Sequence, residues 1–380
     1  MTEKLYYQDA YISDFYACVI SVSAVNGGYD VVLDKTAFFP EEGGQSADSG
    51  YIAESRVVQV YEENGIVHHI TDTAPSLGDH WCNIDFDSRF EKMQCHTAEH
   101  ILCGIIHDLF GFENVGFHLG EDEVTFDVNG VLDRSQLDKV EKMANEAVFS
   151  NLAVEAFFPD KNKLAAMKYR SKLDITEGVR LVMINGIDIC ACCAPHVSNT
   201  GEIGLIKILD FMKHRGGTRI WMVAGNKALN DYRERYANIK RISGLLSTPQ
   251  NEVADTLERY ISDSEGVKAD LKSARLRIAE LEAERVKETE GSAVYLMPDF
   301  SIPELIAFSN VANKKVGGIT VALSGSEVDY KYVISSSSVD LSKISREINT
   351  ALGGRGGGRP EMIQGSFSAK IDEIKSYFLK

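Results

Sequence analysis

An α+β fold in four successive parts is predicted by three observations. Residues 1–88 are crowded with short runs of alternating β-branched and aromatic residues, the period of half-buried strands. From 89 to 225, helical periodicity alternates with strand-like runs. From 226 onward a heptad pattern gives way, near residue 291, to mixed α/β character. The expected parts are a small barrel-like β subdomain (1–88), a metal-binding α+β core (89–225), a helical hairpin or coiled coil (226–290) and a C-terminal α/β domain (291–380).

In the first part, Phe15–Val22, Tyr29–Leu33, Arg56–Tyr61 and Gly65–Ile70 read as strands, with Asn26-Gly27-Gly28 and Asn64-Gly65 as turns between them. Several short strands with little helix suggest a small barrel. Between the second and third strands runs a long loop from Thr36 to Gly50. Gly43 and Gly44 let its backbone approach another surface closely. Gln45 offers a donor and an acceptor there, and Thr36 a hydroxyl. Read alone, the loop is better accounted for as a surface turn.

The second part carries the chemistry. His96 and His100 are four apart, so a helix from about 90 to 110 places both imidazoles on one face. Cys192 and His196 repeat that spacing, with Cys190 and Cys193 beside them. A His/His/Cys/His set suits zinc, which takes nitrogen and sulfur donors in a tetrahedron. Either pair alone also fits chance or surface chemistry, and it is the two together that point to one shared ion. Spacing does not choose among Cys190, Cys192 and Cys193. A second helix is expected over 134–152, and strands at Val179–Ile184, Leu205–Phe211 and Thr218–Val223 bracket the Cys-rich segment, which then falls on a turn or helix start. Glu99 makes the first pair read HxxEH, the pattern of inverzincin proteases, in which a Glu activates water. That class takes a carboxylate as third ligand, whereas the second cluster supplies Cys and His.

In the third part Val253, Leu257, Tyr260, Ser264, Val267, Leu271, Ala274, Ile278 and Leu281 form a heptad seam. A hairpin with an earlier helix at 226–246 and a dimerising coiled coil both satisfy it. In the fourth part, strands at Ala293–Leu296, Val316–Leu323 and Lys331–Ser335 accompany helices at Ile344–Leu352 and Ile371–Leu379. Between those helices, Gly353 to Gly365 reads as a glycine-rich loop exposing backbone N–H groups with Arg355 and Arg359, chemistry suited to phosphate.

Composition excludes several classes. The 380 residues are 44% hydrophobic and 25% charged, ordinary for a globular protein. No apolar run approaches a membrane span and the N-terminus lacks a signal-peptide pattern, so no membrane partner and a cytoplasmic location are expected. The 7 cysteines are odd in number and clustered, which favours metal binding in a reducing compartment over a disulfide framework. A net charge of −16 argues against binding nucleic acid over the whole surface. Local patches remain: Lys161, Lys163, Lys168, Arg170 and Lys172, and residues 291–380, where 10 Lys and Arg against 9 Asp and Glu leave −17 on the remainder.

Four segments in order resemble one family. Thr36 to Gly50 is similar to a TxFxPExGGQxxDxG segment, Asp87 to Leu102 to RxxxMxxHTAxHxL, Val182 to Ile206 to a strand followed by CxxxHV and NTGEIG, and Gly216 to Gly225 to GxRRIxxVxG. These belong to the AlaX-type alanyl-tRNA editing proteins and to the editing half of alanyl-tRNA synthetase; the resemblance spans nearly all of 1–225. Gly353 to Gly365 resembles the GGGRP loop of the C-terminal domain shared by alanyl-tRNA synthetases and DHH-type phosphoesterases, whose DHH motif is absent here. The chain departs from the family at Cys192-Cys193-Ala194-Pro195-His196, where CGGTH is usual, and at Thr218-Arg219, where two arginines are usual.

The resemblance implies a zinc held by His96, His100, Cys192 and His196, and hydrolysis of the ester joining serine, or glycine, to alanine tRNA. Thr36 would contact the serine hydroxyl, Gln45, Gly43 and Gly44 would line the pocket, and Arg355 and Arg359 would meet tRNA phosphates. An aminoacylation domain is not expected, since the sequence starts where the editing region starts. A catalytically inactive tRNA-binding module, or a redox or zinc sensor built on Cys190, Cys192 and Cys193, is the non-enzymatic alternative. A homodimer through the heptad seam stays open.

Overall fold

The computed structural model describes residues 1–120, 124–171 and 178–379. The chain is mixed α+β and divides into two compact units, Met1–Ile239 and Lys240–Lys380. In the first unit the strands Asp14–Val25, Gly28–Leu33, Ile66–Thr71, Ser55–Glu63, Gly50–Ile52 and Gly78–Ile84 close, in that order, into a barrel. Alternation places Phe15, Ala17 and Val19 inside, with Val31, Leu33, Val57, Val60 and Val67. Asn64 and Gly65, both at positive φ, make the tight hairpin turn that pairs Glu63 with Ile66.

Helix α1 (Phe86–Phe110) follows the barrel. Asp85 caps it by accepting from Ser88 N–H, and Gly111 ends it in the left-handed conformation. Every residue from Met93 to Ile106 is buried. α1 is a central helix, enclosed by α2 (Arg134–Phe149), by a four-stranded antiparallel sheet (Ile206–His214, Gly217–Ala224, Val124–Val128, Asn114–Leu119) and by a three-stranded sheet (Val154–Phe157, Leu181–Ile184, Asp188–Ala191). The short α3 (Lys161–Ala166) and the long α4 (Gly225–Leu246) complete the helices described up to residue 246. The basic patch expected around α3 is smaller than its sequence: Lys161, Lys163 and Lys168 are exposed, Arg170 turns inward to Asp188, and Lys172 lies outside the described residues.

The second unit holds α5 (Val253–Glu284) and a five-stranded sheet ordered Ala293–Leu296, Ile319–Ser326, Asp329–Ser336, Met362–Phe367, Arg355–Arg359. α6 (Ile302–Ala312) packs with Ala279 and Ala283 of α5 over Ala322 and Val333. α7 (Leu341–Ala351) and α8 (Ile371–Phe378) supply Leu341, Ile348, Ile374 and Phe378 to the other apolar cluster. One expectation stays open here and one changes. Leu257, Tyr260, Val267, Leu271, Ile278 and Leu281 of the heptad seam are exposed while Val253 at its head is buried, so within the chain α5 is held by Val253, Ala279 and Ala283. The glycine-rich segment is not a loop: Arg355–Arg359 is an edge strand paired with Met362–Phe367, because Gly356 and Gly358 admit a backbone that side chains would block. Arg355 and Arg359 are exposed and four residues apart on that strand, hence on one face.

Inside the barrel His69 is fully buried. Its Nδ1 lies 3.1 Å from the Val31 carbonyl, which only accepts, so Nδ1 carries the proton and Nε2 accepts from the Thr36 hydroxyl at 2.9 Å. Burial keeps the ring neutral and brings its pKa down to about 4. The unfolded chain binds this proton near pH 6.5 and the folded chain does not. Stability from this group is therefore complete above pH 6.5 and lost as pH falls towards 4, amounting to about 3 kcal/mol. Urea melts across pH 7 to 4 should show that fall, and His69→Gln should flatten it; an unchanged slope in the variant would assign the acid sensitivity elsewhere.

Candidate metal centre

His96 and His100 project from the middle of α1, where burial fixes the helix on all sides. Cys192 and His196 come from the irregular segment after the strand Asp188–Ala191. The i, i+4 spacing of this second pair is therefore not helical. Arg180 holds the segment instead, its Nη1 donating to the Cys192 and Ala194 carbonyls at 3.0 and 2.8 Å. The four ligand atoms of His96, His100, Cys192 and His196 lie within 4.8 Å of one another. Cys192 Sγ is 3.6 Å from His96 Nε2 and 3.3 Å from His196 Nε2. A tetrahedron with bonds of about 2.0–2.1 Å to nitrogen and about 2.3 Å to sulfur has N–S edges of about 3.6 Å. The donor set and its spacing fit zinc. Among the three neighbouring thiols it is Cys192 that joins the set, while Cys190 falls with His100 and Asp188, and Cys193 lies against the Gly43 turn.

Two of the imidazoles have the far nitrogen hydrogen-bonded, and the third faces a carboxylate. His96 Nδ1 donates to Gln45 Oε1 at 2.8 Å. His196 Nδ1 is 3.0 Å from Thr97 Oγ1, whose own proton goes to the Met93 carbonyl, so the hydroxyl accepts. His100 Nδ1 faces Asp188 at 3.2 Å. Outer partners of this kind fix the tautomer that leaves Nε2 free to ligate. Burial, with His100 and His96 nearby, pulls the His196 pKa well down, and burial pushes the Cys192 thiol well up. His196 is thus a ready neutral ligand, and Cys192 gives up a proton on binding metal.

The loop from Thr36 to Gly50 reaches the centre through its glycines. Gly44 sits at φ +86°, and a Cβ there would lie 2.4 Å from the Phe117 carbonyl. That close approach sets Gln45 against His96. Its Nε2, fully buried, has no hydrogen-bond partner among the described residues. Asp48 anchors the loop to α1 through the Arg89 guanidinium. Thr36 bonds within the barrel, to His69 and to the Phe38 N–H. Glu99 is turned to Asn114 and Cys103 and lies outside the four-residue set, which removes the ground for the HxxEH protease reading. Arg355 and Arg359 belong to the other unit. Sequence reasoning missed Thr97, Arg180, Asp188 and His69. The charged Arg180 heading an apolar strand, and His69 on the inward register of its strand, were the available signals.

Residues 2–85 match the family described as tRNA synthetases class II (A), 179–226 the Threonyl and Alanyl tRNA synthetase second additional domain, and 302–379 the DHHA1 domain. The chain is 27% identical over 394 residues to the alanyl-tRNA editing protein AlaX-L of Pyrococcus horikoshii, covering 98% of this chain and 96% of that one. It is 30% identical over 387 residues to an alanine–tRNA ligase of Halorubrum lacusprofundi and 33% over 353 residues to one of Halobacterium salinarum. These matches cover 96% and 86% of this chain but 42% and 38% of the ligases, so the chain spans about two fifths of their length.

Zinc titration against a chelator should find one tight site per chain. Cys192→Ser should weaken it by more than the roughly 10–100-fold typical of losing an outer partner. Cys190→Ser and Cys193→Ser should leave it intact, and equal loss from all three would contradict the assignment of Cys192.

Proposed function

Because the chain is AlaX-like, similar to the editing protein AlaX-L along 98% of its length, we propose that it deacylates alanine tRNA mischarged with serine, or with glycine, acting in the cytoplasm. The observation that carries this reading is the four-donor cluster, closed over by the Gly43-Gly44-Gln45 turn that reaches His96. His96, His100, Cys192 and His196 would hold zinc. When bound, the ion supplies positive charge that orients and polarises an oxygen or amino group of the substrate. Four protein donors would leave no open position at a tetrahedral ion, which favours positioning of the substrate over activation of water.

The other roles follow from hydrogen-bonding capacity. The Thr36 proton is committed to His69 and one lone pair to the Phe38 N–H, so its oxygen keeps one lone pair for a substrate hydroxyl. Serine provides that hydroxyl and alanine does not, and a site built around it loses a partner when alanine enters. The unpartnered Gln45 Nε2 is a donor available to the ester carbonyl. Gly43 and Gly44 leave room for the terminal ribose. Arg355 and Arg359 on the exposed edge strand suit tRNA phosphates, a local contact compatible with the net charge of −16. The exposed α5 seam suits a second copy of the chain. The four-part division at 88, 225 and 290 is retained as the functional one: barrel, zinc-dependent editing core, helical spacer and tRNA clamp.

Release of serine from serine-charged alanine tRNA, with alanine-charged tRNA as control, tests the reading. Fast serine release with little alanine release is expected. Thr36→Val should cut serine release by roughly tenfold or more while zinc content stays unchanged. Zinc-loaded protein that binds the tRNA and releases neither amino acid would replace the enzyme with a binding module.

A further inference from the structure

His100 belongs to a second group of metal-ligating atoms, with Asp188 and Cys190, again within 4.8 Å of one another. This group does not read as a second metal site, because Arg170 already occupies the carboxylate. Its Nε donates to Asp188 Oδ1 and its Nη2 to Oδ2, both at 2.7 Å. A guanidinium seated on both oxygens places a full positive charge where a further cation would have to sit. What the carboxylate still faces is His100 Nδ1, 3.2 Å from Oδ2. The two atoms are close but not aligned as a formed hydrogen bond. The side chains are 4% and 2% exposed, so water does not screen them.

The three ligand imidazoles therefore differ. His96 and His196 lean on neutral oxygens, those of Gln45 and Thr97, and His100 faces an anion. Asp188 also begins the strand that leads to Cys192, while His100 sits on α1. Strand and helix are pressed together at Gly104, where a Cβ would lie 2.6 Å from the Ile187 carbonyl. The Asp188–His100 contact thus spans the two segments that carry the first and second halves of the ligand set.

We propose that Asp188, gripped by Arg170, is a positioning residue for the metal centre: it takes the His100 Nδ1 proton as a hydrogen bond, turns Nε2 onto the ion and fixes the separation of His100 from Cys192. This rests on the metal reading above. It makes His100 the most strongly donating and least mobile of the three imidazoles.

The test uses the full chain and metal alone. Changing Asp188 alone would strand the Arg170 charge, so the pair is replaced together, Arg170→Met with Asp188→Asn. Chelator competition should show zinc affinity falling roughly 10–100-fold. The visible bands of the cobalt(II) form should shift while the metal-free melting curve stays near wild type. Asp188→Glu should recover most of the affinity. Unchanged zinc affinity and cobalt bands in the double variant overturn the inference, as does a loss of affinity matched by collapse of the metal-free fold. Nitrogen-15 spectra of the histidines in zinc-loaded wild type need no variant: a protonated His100 Nδ1 with the furthest downfield proton of the three supports the proposal, and an unprotonated one overturns it. Wild-type protein that takes up no zinc sinks this inference together with the metal reading. Zinc binding that ignores the double substitution sinks this inference alone.

Discussion

The arrangement depends on one buried ion pair, Arg89 with Asp48. Arg89 is fully buried and Asp48 nearly so. Their geometry satisfies every demand that burial makes: Arg89 also donates to the Ala10 and Ala37 carbonyls, and Asp48 also accepts from the Phe39 N–H. A pair completed in this way is costly to break, typically about 3–5 kcal/mol when one partner is removed, because the other charge is left dry and alone. It joins the loop that leaves the barrel to the first turns of α1. Seven residues along α1 from Arg89 is His96, and three residues before Asp48 is Gln45. The contact between His96 and Gln45 is therefore built at short range from the ion pair, and barrel and core meet at the candidate metal centre because this pair holds them there.

Around the centre, polarity is arranged in shells. The three imidazoles are buried, Cys192 partly so, and all four lie close together, an arrangement that they tolerate while none is charged. Behind them stand the groups that meet the far ring nitrogens: the Gln45 amide, the Thr97 hydroxyl and the Asp188 carboxylate. Arg180 and Arg170, the next groups out, bind carbonyls and carboxylate and so shape the strand Asp188–Ala191 and the irregular segment after it, which carries the second half of the site. This order, neutral within and charged without, lets a cationic ion enter without stranding an uncompensated charge in the core.

Much of this was legible in the sequence, for reasons that differ by residue. His96 and His100 were readable because a helix converts spacing into facing. The strands of the first 88 residues were readable by alternation, and the Asn64-Gly65 turn by its need for positive φ. Cys192 could not be told from its neighbours, since an irregular segment has no period and its course is set by Arg180, distant in neither sequence nor space but silent in both motif and pattern. Glu99 shared the spacing of a catalytic group yet faces Asn114, because a side chain's direction on a fully buried helix is decided by what surrounds it on every side. The heptad seam of α5 was a true periodicity, but α5 is fastened through Ala279 and Ala283. Arg355 to Arg359 looked like a loop because glycine suggests freedom; between Tyr332 and the neighbouring backbone the same glycines are what make an edge strand fit. Helix α6 went unread, its apolar run carrying no clear period.

The enclosure of α1 also sets a clock. Backbone amides from Met93 to Ile106 have no path to solvent short of wholesale opening, so their exchange reports global stability and not local breathing. Two of the four ligands live on that segment, and the other two on an irregular stretch held by a few hydrogen bonds. An ion held by a set divided in this way would be loaded and released by motion on the Cys192–His196 side and not on the helix. The helix is the fixed jaw of the site, and the cysteine segment the one that a few hydrogen bonds hold.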